Sequence, residues 1–464
     1  MSTACLCGAV VLVAGVLSAG CGNESRGIDD NGRDARDGAG NDTASTDTGS
    51  GTDASDLADA GPCGPMIWKG SASANSMAEI EKLHGYNRIT GELDIDQTTL
   101  VNLNGLESLR CVDGMFSVDS SNHVLKSLDG LDNLKRVGTL KFQSLFDDFN
   151  DISALSSLEE IAGDMVVDTL WLPTIDGFEG LKKIGGSLKL SSFVITTTLH
   201  GLENLEQVGG GIYLDTLFIE NVDALSNLKN VGSAPNIGSF FFINLPALKR
   251  IGGLTGLTHI PGNVTIDSAP VLENLAGLDN VEEIGGAFDL NTTGLVSLDG
   301  LDSLASVGSR VSLLSNRKLR DVSGLCNLKD VGGELTVDEC DSLTNLDGLE
   351  NLSSIGMKDP ASNLHIDGND LLENVDGLSG LTQIGGNVHF IGYNPVLKNL
   401  DGLDNVTHLG GNILYIFYNP SLSNCEATGF RDRMKANGWS GYVCIQGNMP
   451  DTCPDDTSGC GMTK

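Results

Sequence analysis

The sequence predicts a mainly-β solenoid of about 13 coils, each 23–29 residues long, with a cap at either end. Three observations carry that expectation. A unit of the form G-L-x-x-L-x-x-[IV]-G-G-x-[LV]-x-[LIV], followed by a polar, Asn-containing turn, recurs with its starts at Leu106, Leu131, Leu155, Phe178, Leu202, Leu225, Leu254, Leu278, Leu301, Leu325, Leu349, Leu378 and Leu403. Self-similarity at such a period marks a solenoid, in which each unit buries its apolar side only by stacking on its neighbours. Within a unit, two spacings alternate. Finally, cysteines cluster before the first unit and after the last.

The two spacings identify the pieces of a coil. Leu278, Val281 and Ile284 lie three apart and suit one helical or 3₁₀ turn, whereas Phe288 and Leu290 alternate as in a short strand. Gly285-Gly286 between them reads as a hinge that adopts backbone conformations closed to other residues and admits the next coil closely. The Asp before Gly-Leu (Asp129, Asp176, Asp299, Asp347, Asp376 and Asp401) is expected to cap the first amides of the helical turn.

The run IGGNVHFIGYNPVLKNLDGLDNVTHLGGNILYIFYNPSL resembles bacterial proteins carrying receptor L-domain repeats, over roughly residues 88–422. That resemblance implies a right-handed, leucine-rich-repeat-like β-helix used for recognition. It implies no reaction and supplies no fixed ligand residues.

In chain order, residues 1–20 read as a signal peptide, because Gly8 to Gly20 is a small, apolar run too short to span a membrane. The run ends in Leu17-Ser18-Ala19-Gly20-Cys21, similar to a bacterial lipobox, although Leu17 stands one place further from the cysteine than usual. Cys21 is therefore the expected lipidation site. Secretion with Cys21 as an ordinary thiol is the alternative. Residues 21–60 form an acidic tether. Gly22 to Ala60 carries ten acidic and three basic residues, with one Ile, one Leu and no aromatic, which is too little apolar surface to fold. Asp29 to Asp34 resembles a calcium loop only faintly, since Arg33 intrudes and the bidentate Glu is missing.

Residues 61–87 are read as an N-terminal cap, with Met77, Ile80 and Leu83 at helical spacing and Cys63 placed to staple to Cys111. Residues 88–422 are the solenoid, either continuous or in two halves, 88–232 and 237–422. The two 29-residue steps place extra loops near Ser233 to Asn236 and Met357 to Pro360. Residues 423–464 form a Cys-rich cap around a helix from Glu426 to Ala436. Its Cys425, Cys444, Cys453 and Cys460 pair most simply in sequence order. Cys326 and Cys340 are left either as a pair or as two thiols. Without Cys5, Cys7 and Cys21, an even eight cysteines remain, as expected of an exported chain.

The net charge of −34 makes nucleic acid and anionic membrane surfaces poor partners. No H-E-x-x-H, G-x-S-x-G, Walker loop or paired C-x-x-C occurs, and seven histidines lie scattered singly. No catalysis, cofactor or metal is expected. In each strand the residues between and after the two apolar positions should face outward and stack about 4.8 Å apart. The last three coils then offer His365 and Asp367, His389 and Ile391, and Leu414 and Ile416, flanked by Tyr393, Phe417 and Tyr418. Stiff aromatics with hydrogen-bonding groups suit a binding face. The alternative is that Tyr393 and Tyr418 pack beneath the C-terminal cap. Asp215, Asp267, Asp338 and Asp367 share an outward column, in which only Asp338 and Asp367 are close enough to share an ion.

The expected function is non-enzymatic recognition of a protein or glycan by a surface-exposed outer-membrane lipoprotein. A structural envelope lipoprotein is the second reading. A β-helical polysaccharide-active enzyme is the third, although the carboxylate clusters it would need are sparse.

Overall fold

The computed structural model describes residues 63–119, 124–145, 149–172, 174–193, 195–232, 238–359 and 362–460. The expected signal peptide, Cys21, the tether and the loop at Ser233 to Asn236 lie outside them. Over the described residues the chain is a parallel β-solenoid of about 14 turns, with helices α1 (Met77–Leu83) and α2 (Asn424–Ala436) near its two ends.

Each coil adds one strand to a principal parallel ladder, in which Val264 pairs with Phe288, Phe288 with Val311, Val311 with Leu335 and Leu335 with Leu364. Two-residue strands such as Glu283–Ile284 and Ser306–Val307 form a second ladder on another side. Alternate residues of each principal strand point inward, so that Val264 and Ile266 are buried while Thr265 and Asp267 face outward. The inward residues merge into one apolar core running from Ala74 to Ile445. Burying each such Leu, Ile, Val or Phe contributes about 1.5–3 kcal/mol. The principal ladder does not break at the first long step, because Ile212 pairs directly with Phe240 across it.

The three-apart leucines make tight turns, with Leu278 N–H donating to Leu275 C=O at 3.0 Å and Val281 N–H to Leu278 C=O at 2.9 Å. Elsewhere the turn tightens into a 3₁₀ helix, as at Asp376–Leu378 and Asp401–Leu403. These helices carry no side-chain cap from the Asp before Gly-Leu, contrary to the expectation. At Asp376 and Asp401 the aspartate's own N–H is the donor, to Asn374 and Asn399 at 3.1 Å. At several turn glycines that take positive φ, the Gly N–H is bound by the acid two residues on, as in Gly277 N–H to Asp279 at 2.7 Å and Gly348 N–H to Glu350 at 2.9 Å. A carboxylate beyond the turn can fold back on that amide.

The Gly-Gly pair is also corrected in part. Gly285 and Gly286 are absent from the positive-φ residues, so special backbone conformation is not their role. Close stacking is. A Cβ on Gly308 would lie 2.0 Å from the carbonyl oxygen of Gly285 in the coil before it.

Besides the glycines that open the tight turns, positive φ recurs in a second column, at or just beyond the end of each principal strand. Thr216, Asn244, Ser268, Thr292, Ser315, Glu339, Gly368, Tyr393, Tyr418 and Gly447 all take it. Three places after Leu290, Ile366, Ile391 and Ile416 come inward-facing polar positions, and in the last coils these are asparagines. Asn369, Asn394, Asn419 and Asn448 form a buried ladder, in which each Oδ1 accepts a backbone N–H of the previous coil and each Nδ2 donates to a carbonyl there. Cys340 occupies the same position one coil earlier, its thiol reaching Leu313 C=O at 3.5 Å. Burial pushes that thiol up to about 12. No disulfide joins Cys340 to Cys326; both are thiols.

Cys63 and Cys111 are bonded as expected. The C-terminal pairing is not sequential: Cys425 joins Cys453, and Cys444 joins Cys460. The 13 residues of α2 span about 20 Å and carry Cys444 away from Cys425. The tail then returns past both. Asp451 accepts the Cys425 N–H at 2.9 Å, and Gly459 N–H donates to Val443 C=O at 2.7 Å, so each end of the tail reaches a different cysteine.

Candidate functional site

The last three coils depart from the regular pattern, and the departures converge on one face. Strand Asn363–Asp367 pairs regularly with Leu335–Asp338, aligning Thr336 with His365 and Asp338 with Asp367. The next strand, Asn387–Gly392, then bulges. Leu364 pairs with Val388, but His365 pairs with Phe390 and Asp367 with Gly392. A bulge inserts an extra residue and shifts the outward set by one.

The outward residues of the last two coils are therefore Phe390 and Gly392, then Tyr415 and Phe417. Ile391, Leu414 and Ile416, expected outside, point into the core and are fully buried. His389 sits on the bulge, its ring 4.1 Å from that of Phe390 and roughly parallel to Tyr415 at 6.1 Å. Burial, and then the charge of His365, hold its imidazole below the ordinary value.

Tyr415 and Phe417 are outward in register yet covered. They form a small apolar cluster with Cys444, flanked by Phe390, Ile413 and Cys460, and Tyr415 Oη donates to Gly459 C=O at 3.1 Å. The C-terminal tail thus roofs this end of the strand face.

Tyr393 and Tyr418 lie beyond that roof, not under it. They remain 53% and 46% exposed and stack on each other with centroids 5.2 Å apart at 27°. Phe417 meets both edge-on, at 5.6 Å from each. Both tyrosines have left-handed backbone, with φ of 51° and 53°, where neighbouring coils use Gly368 and Gly447. For a bulky L-residue that conformation costs about 1–2 kcal/mol. Gly447 also makes room, since a Cβ there would lie 2.5 Å from the Tyr418 ring.

Beside this aromatic shelf lies a notch. Its polar floor is Asp338, His365 and Asp367, one ligand-type atom of each lying within 4.8 Å of the others. His365 Nε2 stands 3.9 Å from Asp338 Oδ2, and the His365 side chain is only 20% exposed. Both His365 Nε2 and Asp367 Oδ1 are buried and make no hydrogen bond. Among the described residues, no Lys or Arg pairs with either carboxylate. Burial raises the Asp338 carboxyl above its ordinary range, against the opposing pull of His365. Burial and the Asp338 charge push Asp367 up to about 6.

Glycines keep the notch open. At Gly392 a Cβ would stand 2.9 Å from Asp367 Oδ1 and 3.1 Å from the Phe417 ring, whereas at Gly368 the nearest atom, Asp338 Oδ1, is 3.6 Å away. A second grouping, Cys425, Asp451 and Cys453, offers no thiolate because its cysteines are bonded to each other.

The structure places the expected His365, Asp367, His389, Tyr393, Phe417 and Tyr418 on this end of the strand face, together with Phe390, Gly392 and Tyr415, which the repeat pattern did not assign to it. The signal was present. Asn369 follows Asn363 by six positions, but Asn394 follows Asn387 by seven. An apolar concavity of about 330 Å³, lined by Phe218, Pro246 and Pro270 among others, was also missed, because its residues lie in the turns after the strands.

No protein-family model matches the sequence, and no curated protein matches it significantly.

Proposed function

We propose that this chain is a non-enzymatic recognition module on the cell surface, which binds a protein or glycan through the strand face of its last coils. The exposed Tyr393–Tyr418 stack carries this reading. Two large, rigid rings are held at a strained backbone position while remaining half in solvent, so core burial does not compensate the strain. A binding partner would. The acidic notch beside the rings supplies hydrogen-bond acceptors, and a stiff solenoid presents both without reorganisation.

Three disulfides support an exported location, and Cys21 as a diacylated anchor on an acidic tether would hold the module at the outer membrane. No helix among the described residues is long and apolar enough to cross a membrane. The resemblance to receptor L-domain repeats points the same way.

A glycan array and an envelope-extract pull-down with the purified chain test the reading, alongside the double variant Tyr393→Ala/Tyr418→Ala. A saturable partner lost in the variant is expected. Binding that survives in the folded variant would remove the tyrosines from the interface. For the anchor, Cys21→Ser should move the protein out of the membrane fraction, and an unchanged distribution would refute lipidation.

A further inference from the structure

We propose that Asp338, His365 and Asp367 form a binding site for one divalent transition-metal ion, held in the notch between Gly368, Gly392 and the Phe417 ring. This inference rests on the notch geometry alone and stands apart from the recognition reading.

The donor set is two carboxylates and one imidazole, on adjacent strands whose register is fixed by the ladder. Three protein ligands with an open position are typical of a solvent-facing metal site. An imidazole nitrogen with only two carboxylates favours zinc-like ions over calcium or magnesium, which take oxygen shells. With metal–ligand distances near 2.0–2.2 Å, donor atoms in tetrahedral geometry lie about 3.4 Å apart. The 3.9 Å between His365 Nε2 and Asp338 Oδ2 is within a small side-chain rotation of that value.

Two further features point to a ligand. His365 Nε2 and Asp367 Oδ1 are buried atoms without a hydrogen bond, an arrangement that costs free energy unless something binds them. Charge is unbalanced as well. Elsewhere on the same face the buried Asp289 is gripped by Arg310 through two bonds of 2.8 and 2.9 Å, whereas among the described residues no Lys or Arg pairs with Asp338 or Asp367. A dication supplies the missing positive charge. Small residues at Gly368 and Gly392 leave the space it needs, where a Cβ at Gly392 would crowd Asp367 Oδ1.

The test uses the purified full chain, stripped with EDTA and kept oxidised, titrated with ZnCl₂ against a chromophoric chelator. Wild type should take up one equivalent that is lost, or weakened at least about tenfold, in Asp367→Asn and in His365→Gln. Zn²⁺ should also raise the melting temperature of wild type and not of these variants. Asp267→Asn, in the same outward column, should keep the equivalent. Asp338→Asn provides a third, isosteric variant should either of the others fail to fold, as judged by circular dichroism without metal. The proposal is overturned if wild type shows no saturable equivalent, or if the folded variants bind Zn²⁺ as wild type does.

Discussion

The coils from Val264 to Leu335 and those from Leu335 to Phe417 share one repeat but solve their outward face differently. In the first group every principal strand is four residues long and pairs without a register shift, its outward residues including the small Thr265, Ser312 and Thr336 and an Asp289 bound by Arg310, with no aromatic ring among them. In the second the strands lengthen, one bulges, rings crowd the surface, and two carboxylates stand without a guanidinium or ammonium partner. Buried apolar stacking is the same in both, so it does not distinguish them. The irregularities fall where local stability would be better served by regularity. Departures of this kind concentrate at functional sites.

Gly308→Ala places a methyl 2.0 Å from the Gly285 carbonyl oxygen and should destabilise by about 3 kcal/mol in guanidinium unfolding. A loss below 1 kcal/mol would show that coil spacing is softer than the contacts imply. On the irregular side, Tyr393→Ala/Tyr418→Ala should weaken partner binding by about 2 kcal/mol or more, roughly thirtyfold, while Tyr213→Ala in an earlier coil leaves it unchanged. Equal losses at both places would spread the interface along the whole face.

Neutralising Asp289 and neutralising Asp367 should change stability in opposite directions. Asp289→Asn breaks a bidentate pair and should cost about 1–2 kcal/mol. Asp367→Asn in metal-free protein should stabilise by about 1–2 kcal/mol at pH 8, after allowance for solvent screening. The sign follows from a folded carboxyl near 6 against an ordinary 3.8, so the folded chain holds the proton more tightly than the unfolded one. The cost is absent below about pH 4, grows as pH rises through the interval and is full above it. Urea midpoints of wild type and Asp367→Asn should therefore converge at low pH; a constant gap would assign the effect elsewhere. The smallest effect is expected for Gly368→Ala, at about 1 kcal/mol, because only its φ of 63° and no close contact opposes a methyl.

Much of this was legible in residues. The period of Gly-Leu starts gave the solenoid, and Met77, Ile80 and Leu83 gave α1. Even the cap helix from Glu426 differed from the observed start at Asn424 by only two residues. Register was not legible at His389, because an apolar–polar alternation reads equally well in either phase once one residue is inserted, and Val388-His389-Phe390-Ile391 satisfies both. Disulfide connectivity was hidden for a different reason. Four cysteines in a tail can pair three ways, and the path of the tail over the last strand, set by contacts such as Tyr415 with Gly459, selects among them. The carboxylate notch was hidden with the register, since its depth comes from Gly392 falling opposite Asp367.

The asparagine ladder of the last coils sets a rule for how such a chain can change length. Asn394 and Asn419 each complete the hydrogen bonding of the coil before them and hand their own N–H to the coil after. An insertion or deletion inside the ladder would put a different side chain in that slot and leave amides on both sides unanswered. Removing or duplicating one whole repeat restores the sequence of hand-offs unaltered. The ladder thus works as a reading frame written in amides: the protein can grow or shrink by coils, with odd residues consigned to the turns and bulges where new surface chemistry begins.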